Sequence, residues 1–453
     1  MPTAADRKEL LSLDEISETI ERILRDSPAD ETEVVWLESR RGRARRQRSR
    51  VDAWVTPERT ILIRVLDRGR VGSFRTGAPD AGELASGVRF AVAQSRAREP
   101  LSGLPHLPAD ESALGATGPL HDPEIAELSP KKVKSLLADL ALKQENAHLR
   151  WADARVAVFN SRGVRRRDEV TSVALEIRTG RRPGAARATD AARSLGLIES
   201  AALVAEARAL HAGGDAGEVP TEPGPVVFSP MATIALCDLL NTTSFSAKAY
   251  YDGISFLREH MNVQVFDRRI NLRDDGTDSS GLAFPFDLEG TAKRPVDLID
   301  KGAPLTPTLD QRQAAVLGLP PTAHAIGGNN AQAENLFLLA GEDDPETLLG
   351  AADGGLWIGW LEGMESLDPR RVRFRARARG IRAIRDGKLD KGIPDAMLED
   401  SLLRSFSALL GLGSSPSRSL SADGYLGGIS APAVAIGDVQ VHPAPDQPLS
   451  QAG

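Results

Sequence analysis

The residue types that most often hold a catalytic metal are sparse and scattered in this chain. Its seven histidines are His106, His121, His148, His211, His260, His324 and His442. None is followed by Glu, and no two lie within a few helical turns of each other. A hydrolytic zinc ion needs about three protein ligands and an open water position, and two histidines on one helix with an adjacent Glu supply most of that set. The sequence therefore predicts no metal site in this chain.

The single cysteine, Cys237, lies in the segment ALCDLLNT at 235–242. One cysteine forms no intrachain disulfide and no cysteine cluster for a metal. We interpret Cys237 as a small apolar core residue on a helix, and Asp238 as a surface carboxylate.

Two loop segments of the second half carry polar side chains suited to chemistry or binding. In FDLEG, Asp287 and Glu289 could act as an acid–base pair, but a solvated strand end with alternating faces explains them equally well. His324 stands beside the small polar residues at 327–330. A turn is the first interpretation of that segment; as a peptide-groove lining, it would contribute His324, Asn329 and Asn330 as substrate-binding residues.

A dense basic run, RRGRARRQRSR, occupies residues 40–50. It is typical of a solvated hairpin, or of a site for an anionic partner. The chain carries a net charge of −7 and the run has no interleaved aromatic residues, so nucleic acid is the weaker partner. An acidic peptide is the stronger one, because a local positive patch steers a charged ligand. Arg43, Arg45 and Arg46 are its predicted contacts.

Length and composition limit the class of protein. A chain of 453 residues exceeds one ordinary core, and 41% apolar with 26% charged residues is globular composition. The charged N-terminus is unlike a secretory signal, and no stretch approaches the roughly 20 apolar residues of a membrane span. We expect a cytoplasmic protein without membrane contact.

The elements that would position these residues follow from periodicity. Helices are predicted at 12–26, 80–98, 130–145 and 195–210, and strands at 32–40, 150–159, 164–169 and 171–178. Hairpin turns are predicted at Asp67-Arg68-Gly69 and Asp386-Gly387. Alternating arginines predict a strand at 371–379, with its arginines on an exposed face or subunit contact, and a helix is predicted at 396–411.

A Gly/Pro-rich stretch at 211–225 marks the predicted domain boundary. The predicted fold is α+β with two domains. They are an N-terminal α/β domain with a mixed sheet and helices (1–215), a linker (216–225), a β-rich C-terminal domain (226–412) and a flexible tail (413–453).

Several ordered segments of the second half resemble the TldD/PmbA family. They are VVFSPMATIALCDLL, YYDGISFL, FPFDLEGTAKRPVDLIDKGAPL, GGNNAQAEN, GGLWIGWLEGMESLDP, the arginine strand and IRDGKL. The resemblance spans roughly residues 225–412, and no single catalytic fingerprint anchors it. It implies a two-domain subunit that pairs, commonly as a TldD-type with a TldE-type chain, into a zinc-dependent peptidase.

In this family the TldD-type subunit carries His-Glu-x-x-x-His on a helix. Ungapped matching places Cys237 at the first histidine, Asp238 at the Glu and Thr242 at the second histidine. The resemblance thus implies a non-catalytic, TldE-like pseudo-peptidase subunit, which binds no cofactor itself, pairs with a TldD-like subunit that holds the zinc, and helps form a groove for peptide processing. The alternative is a homodimeric binding or scaffold protein of the same fold without peptidase activity.

Overall fold

The fold is that of a computed structural model, which describes residues 10–101, 103–110, 113–115, 117–180, 184–213, 216–328 and 330–444. The helices are α1 (Leu13–Asp26), α2 (Ala81–Arg96), α3 (Pro123–Ala126), α4 (Pro130–Asp139), α5 (Ser200–Leu210), α6 (Pro230–Leu239), α7 (Ala247–Tyr251), α8 (Leu257–His260), α9 (Gln311–Leu317), α10 (Pro345–Ala351) and α11 (Leu402–Ser407). A short 3₁₀ turn (Leu195–Leu197) precedes α5, and a π-helical turn (Leu240–Ser244) extends α6.

The first half of the chain forms one sheet. Its strands are β1 (Glu31–Gln47), β2 (Arg50–Asp67), β3 (Arg70–Thr76), β4 (Asn146–Asn160), β5 (Arg165–Thr179) and β6 (Ala186–Ala192), in the order β3-β2-β1-β4-β5-β6. Every pair is antiparallel, so the mixed sheet predicted for this half is wrong. The reason is that short hairpin connections join most neighbouring strands, and such connections permit only antiparallel pairing.

The two faces of this sheet have different neighbours. One face carries Val34 and Trp36, which pack with α1 and α2, and Ala44 and Trp151, which pack with α3, α4 and α5. The other face carries Val35 on β1 and its β4 neighbours, which pack against residues 284–288 and 425–426 of the second half. The sheet is therefore sandwiched between its own helices and loops of the second half.

The second half is rich in strands. They are β7 (Gly224–Phe228), β8 (Leu272–Asp274), β9 (Val296–Asp300), β10 (Ala303–Pro304), β11 (Ala325–Gly327), β12 (Asn330–Ala331), β13 (Asn335–Leu338), β14 (Leu356–Ile358), β15 (Trp360–Asp368), β16 (Arg373–Arg379), β17 (Ile381–Arg385), β18 (Lys388–Ile393), β19 (Ala396–Ser401), β20 (Leu409–Leu412), β21 (Ser417–Leu420), β22 (Gly428–Ala431), β23 (Val434–Val439) and β24 (Val441–Pro443). The predicted α+β class with a strand-rich second half is confirmed.

These strands form four sheets around α6. Their orders are β10-β9-β8-β13-β22-β21, β11-β12, β18-β17-β14-β7-β23-β20 and β15-β16-β19-β24. Two of the pairs are parallel, β13 with β22 and β14 with β7. Strand β7 begins at Gly224, inside the segment that was predicted as a linker.

Both predicted hairpin turns are present. Arg68 and Gly69, and likewise Asp386 and Gly387, have positive φ angles between paired strands, the geometry of a tight two-residue turn. The predicted strands at 164–169 and 171–178 are one strand, β5, and the predictions of helices at 12–26, 80–98 and 130–145 fall on α1, α2 and α4.

Three predictions near the C-terminus are wrong. The helix predicted at 396–411 is a strand, a single six-residue helix and a second strand (β19, α11 and β20). The tail predicted as flexible from 413 contains β21 to β24 as far as residue 444, because small and β-branched residues there pair inside three of the sheets; its remainder, 445–453, lies outside the described residues.

The third, an exposed face for the arginine strand, is wrong only for Arg377 and Arg379, and the subunit contact considered as its alternative stays a prediction. Arg373 is exposed as predicted, but Arg377 is only 8% exposed and Arg379 is held by Glu362 and Asp395. Two acidic partners, Glu362 on β15 and Asp395 just before β19, allow Arg379 to be largely buried.

Across the described ranges, no helix is long and apolar enough to cross a membrane.

Candidate functional site

Helix α6 occupies the place where the sequence resemblance puts the family's zinc motif. Its start is set by Ser229, whose side chain accepts a hydrogen bond from the Ala232 N–H at 3.2 Å, and by Pro230 at the first helical position. The helix is apolar nearly all round, as a helix enclosed by sheets must be. This fixes the orientation of every side chain on it.

The three residues at the motif positions point in different directions. Cys237 is fully buried in the core, whereas Asp238 and Thr242 are exposed. The Thr242 hydroxyl donates to the Asp238 carbonyl at 2.8 Å, which occupies it within its own helix turn. These side chains do not converge on one point.

The chemistry of these donors does not fit a zinc ion. Burial, and then the neighbouring Asp238 carboxylate, raise the pKa of the Cys237 thiol to about 12, so it stays protonated, whereas zinc binds the thiolate. Within the described residues, no three His, Cys, Asp or Glu side chains are grouped closely enough to hold a metal.

The π-helical turn that follows α6 connects this helix to the wall of a large cavity. The Phe245 N–H donates to the Leu240 carbonyl at 3.0 Å, five residues back. Inside the turn, buried Asn241 donates from Nδ2 to the Ala333 carbonyl at 2.9 Å and accepts from the Ala333 N–H at 3.1 Å. Ala333 belongs to a wall of the large cavity.

That cavity has a volume of about 1070 Å³ and lies between the two halves of the chain. Strands β1, β2 and β3 form one wall. The hairpin β11–β12, residues 332–334 and residues 421–426 form the opposite wall. The size is at the upper end of what ligand pockets usually span, and it suits an extended segment better than a small molecule.

Buried ionic groups line one part of the cavity. Arg64 on β2 lies directly opposite Glu33 on β1, and its Nη2 is 3.0 Å from Glu33 Oε1. The same nitrogen is 2.8 Å from Oε1 of Glu289, which comes from the second half. One guanidinium thus joins the halves of the chain through two carboxylates.

Burial raises the pKa of Glu33 to about 7, against the opposing effect of Arg64. Asp310 lies nearby and caps α9, accepting from the Gln313 N–H at 2.7 Å. Burial, and then Glu289, raise its pKa to about 6. This part of the cavity therefore titrates near neutral pH.

The solvated strand end considered for Asp287 and Glu289 is wrong, since both are at most 4% exposed. Asp287 accepts from the N–H groups of Glu289, Thr291 and Ala325 at 2.9–3.0 Å, so it shapes the turn that presents Glu289. Sequence reasoning missed the partnership of Glu289 with Arg64. The available signal was a lone charged residue inside each of the apolar runs TEVVWL and TILIRVL.

The residues predicted to bind peptide separate into two groups. Asn330 is exposed and lines the cavity. His324 is 1% exposed and is not among the lining residues; its Nε2 lies 3.1 Å from Oδ2 of buried Asp274, so its role is in the core. Asn329 lies outside the described residues.

Most of the basic run is strand, because β1 continues to Gln47, and its last residues form the hairpin turn into β2. Arg43 and Arg45 are exposed on the face that also carries Arg41, a cavity residue. Arg46 lies on the opposite face and donates to the carbonyls of Ala138 at 3.1 Å and Leu140 at 3.0 Å, at the C-terminal end of α4. Arg46 thus has a structural role, apart from the surface of Arg43 and Arg45.

Comparisons with known proteins agree with this architecture. The sequence model of the PmbA/TldA metallopeptidase C-terminal domain matches residues 221–443. A search of curated proteins found no significant match.

Among solved structures, a Thermotoga maritima protein assigned provisionally as a modulator of a DNA gyrase superposes with a TM-score of 0.80 at 18% identity, covering 94% of this chain and 100% of that one. TldE from Thermococcus kodakarensis has a TM-score of 0.78 at 17% identity, with the same coverage of both chains. A Bacteroides thetaiotaomicron protein, again provisionally a DNA gyrase modulator, has a TM-score of 0.75 at 17% identity over 98% and 100% of the two chains.

The fold and the matched domain define a relative of the PmbA/TldA metallopeptidases, with a strand-rich C-terminal domain. The chain belongs to the TldD/PmbA family.

Proposed function

We propose that this chain is a TldE-like subunit without a catalytic zinc ion of its own. It pairs with a TldD-like zinc peptidase and supplies part of the groove in which peptides are held for processing. The chain itself binds peptide and performs no step of hydrolysis.

The proposal rests on the side chains that α6 and the turn after it present at the motif positions. A peptidase of this family type would need metal ligands and a general base on that helix. Here the helix presents a protonated, buried thiol at Cys237 and exposed side chains at Asp238 and Thr242. Such a helix serves packing, so the zinc is assigned to the partner.

The cavity supports the peptide-holding part of the proposal. It is bounded by strand β3 and by the β11–β12 hairpin, and it combines apolar side chains such as Leu62 and Leu288 with polar groups such as Asn330. Binding sites for extended segments typically have this mixture, with apolar area for affinity and a few polar groups for orientation.

The test is to purify the chain alone and together with a TldD-like protein that carries His-Glu-x-x-x-His. Zinc content and cleavage of an unstructured peptide are measured in both preparations, and again with Cys237→Ala in this chain. We expect zinc and cleavage only with the partner present, and no effect of Cys237→Ala on either. One equivalent of zinc and robust cleavage in the isolated chain, both lost on Cys237→Ala, would overturn the proposal.

A second candidate function is a homodimeric binding protein of the same fold. It is considered because the cavity between β1 and residues 421–426 is formed within one chain, so binding of a peptide there requires no peptidase subunit. Native mass spectrometry separates the two candidates. A stable homodimer that ignores a TldD-like protein supports the second, and a one-to-one complex supports the first.

A further inference from the structure

The antiparallel register gathers arginines from strands far apart in sequence onto one sheet face. Arg43 on β1 lies directly opposite Arg150 on β4, and Arg45 lies opposite His148. Residues directly opposite each other in an antiparallel pair project from the same face. The basic run of β1 is thus widened by β4 into a surface two strands across.

This surface, consisting of Arg43, Arg45 and Arg150 and hereafter the arginine face, is open. All three residues are exposed, and within the described part of the chain none has a carboxylate at ion-pair distance. Helices α3, α4 and α5 pack on the other side of the sheet and leave the arginine face uncovered.

Neighbouring groups bound the arginine face on both sides. On β2, Trp54 lies opposite Arg43 and is 48% exposed. Toward β6, Arg187 stacks at 4.2 Å over the Trp360 ring and lies 3.0 Å from Glu362, so contacts with the second half already engage it. The arginines without an ion-pair partner therefore lie in the middle of the sheet.

The charged groups on neighbouring strands affect one another's pKa values. Partial burial lowers the pKa of Arg150; the Glu176 carboxylate opposes this effect, and the Arg43 guanidinium adds to it. Burial, followed by the positive charge of Arg178 and Arg45, lowers the pKa of His148 to about 4 and keeps that ring neutral at physiological pH. Glu176 and Asp52 offset part of this positive charge, and the three guanidinium groups without an ion-pair partner favour an additional anionic ligand.

The arginine face also adjoins the cavity. Arg41 lies two residues before Arg43 on the same face of β1, about 7 Å away along the strand, and it lines the cavity. Its guanidinium lies 5.3 Å from the centroid of the Tyr425 ring in that cavity. A chain lying along β1 would pass directly from the arginine face to the cavity.

We propose that the arginine face docks an acidic segment of a polypeptide, rich in Asp or Glu, and holds it at the entrance of the cavity. The inference deepens the proposed function and rests on it, since it names the class of peptide that the groove takes. Carboxylates match the forked donors of arginine, and separate carboxylates can avoid Glu176 and Asp52, which lie among these arginines. A continuous phosphate backbone cannot avoid them, and the net charge of −7 also opposes nucleic acid.

The test measures binding of fluorescein-labelled peptides to the isolated full chain, without a partner and without cleavage. One peptide carries eight glutamates spaced by glycine and serine, and the matched peptide carries glutamine in their place. The variant is the triple change Arg43→Glu, Arg45→Glu and Arg150→Glu. Its matched control is Arg22→Glu, Arg89→Glu and Arg371→Glu, which changes the charge equally at exposed positions elsewhere.

We expect the glutamate peptide to bind more tightly than the glutamine peptide, and less tightly as salt rises. The arginine-face variant should lose about tenfold or more in affinity, while the control variant changes by less than about threefold. Circular dichroism and a melting curve establish that both variants are folded.

Three results would overturn the inference. The first is equal affinity for the glutamate and glutamine peptides, and the second is an equal loss of affinity in the arginine-face variant and the control variant. The third is tighter binding of a dT12 oligonucleotide than of the glutamate peptide at the arginine face. Because no partner or cleavage enters the assay, its failure leaves the proposed subunit role standing. Conversely, failure to assemble with a TldD-like protein leaves this binding result intact.

Discussion

Asn241 binds both backbone groups of Ala333, and this double hydrogen bond joins the end of α6 to the cavity wall. The distances are 2.9 Å to the carbonyl and 3.1 Å from the N–H, and Asn241 is 1% exposed. An amide side chain is the group that satisfies a backbone donor and acceptor at once. The π-helical turn places the Asn241 side chain at this position.

Replacing Asn241 by Leu should therefore destabilise the protein. The change leaves the Ala333 N–H and carbonyl buried without partners, at about 1–3 kcal/mol for each unsatisfied group. We expect a loss of about 2–4 kcal/mol in the free energy of unfolding, measured by urea denaturation. Thr242→Ala on the exposed side of the same turn is the control, with a loss below about 1 kcal/mol. Similar losses in the two variants would show that the contact is not what holds the wall.

Arg193, like Arg64, joins the two halves of the chain. It is 6% exposed, and its guanidinium donates to backbone carbonyls of Thr171 in β5 and of four residues in the second half. Those four are Leu282, Ala283, Tyr425 and Leu426. Burial lowers its pKa to about 10, yet it remains charged at neutral pH.

Arg193→Met should leave these carbonyls unpaired and loosen one half from the other. We expect a loss of about 3–5 kcal/mol in the free energy of unfolding, together with faster proteolysis between the halves. Arg193→Lys, which keeps the charge but offers fewer donors, should recover only part of the loss. The control is Arg371→Met, whose side chain is 77% exposed and should cost less than about 0.5 kcal/mol. If Arg193→Lys were as stable as the unmodified protein, the several donors of the guanidinium group would not be what holds the two halves together.

The sequence predicted the local elements well where one segment determines its own structure. The Ser229-Pro230 start of α6 and the Asp386-Gly387 hairpin depend on capping and on positive φ, which are local properties. The segment at 396–411 misled because its apolar residues fit a helical period, whereas the pairing of β19 with β16 decides its structure.

The candidate site was harder to predict for the same reason. Glu33 and Arg64 lie 31 residues apart and Glu289 a further 225, so only the strand register and the packing of the two halves bring them together. Likewise, nothing in the run at 40–50 indicates that Arg150 lies opposite Arg43. The family motif positions and the core placement of Cys237 were both identifiable from sequence alone, and Cys237 is fully buried.

The cluster around Glu33 should make stability fall as pH rises through neutrality. The pKa of Glu33 is raised from a model-peptide value of 4.5 to about 7. Between these two pH values the folded state holds a proton that the unfolded state has lost. A raised carboxyl pKa therefore favours folding at the acidic end of this window and loses that advantage toward pH 7. Asp310, raised to about 6, acts in the same direction.

We expect the free energy of unfolding to drop by about 2–3 kcal/mol between pH 5 and pH 7.5 on account of Glu33, measured by urea titration in buffers of constant ionic strength. Glu33→Gln should flatten this slope, whatever its effect on absolute stability, since Arg64 keeps Glu289 as a partner at 2.8 Å. Glu58→Gln, at a 48% exposed side chain, should leave the slope unchanged. An unaltered slope in Glu33→Gln would show that this carboxyl does not titrate in that range.

Arg46 and Arg45 are neighbours in sequence with opposite roles, and this difference can be measured. Arg46 donates to the last carbonyls of α4, where unpaired acceptors and the negative end of the helix dipole favour a cation. Arg46→Ala should therefore cost about 1–2 kcal/mol in the free energy of unfolding, with little change in binding of the glutamate peptide.

Arg45→Ala should show the reverse. Its side chain is exposed on the arginine face, so its removal should change stability by less than about 0.5 kcal/mol and weaken peptide binding by about twofold to fivefold. Urea denaturation and fluorescence anisotropy on the same two preparations give the stability and the peptide affinity of each variant. If the two single variants lost stability and affinity in parallel, the basic run would act as one solvated stretch, and the two faces of β1 would not divide its arginines between structure and binding.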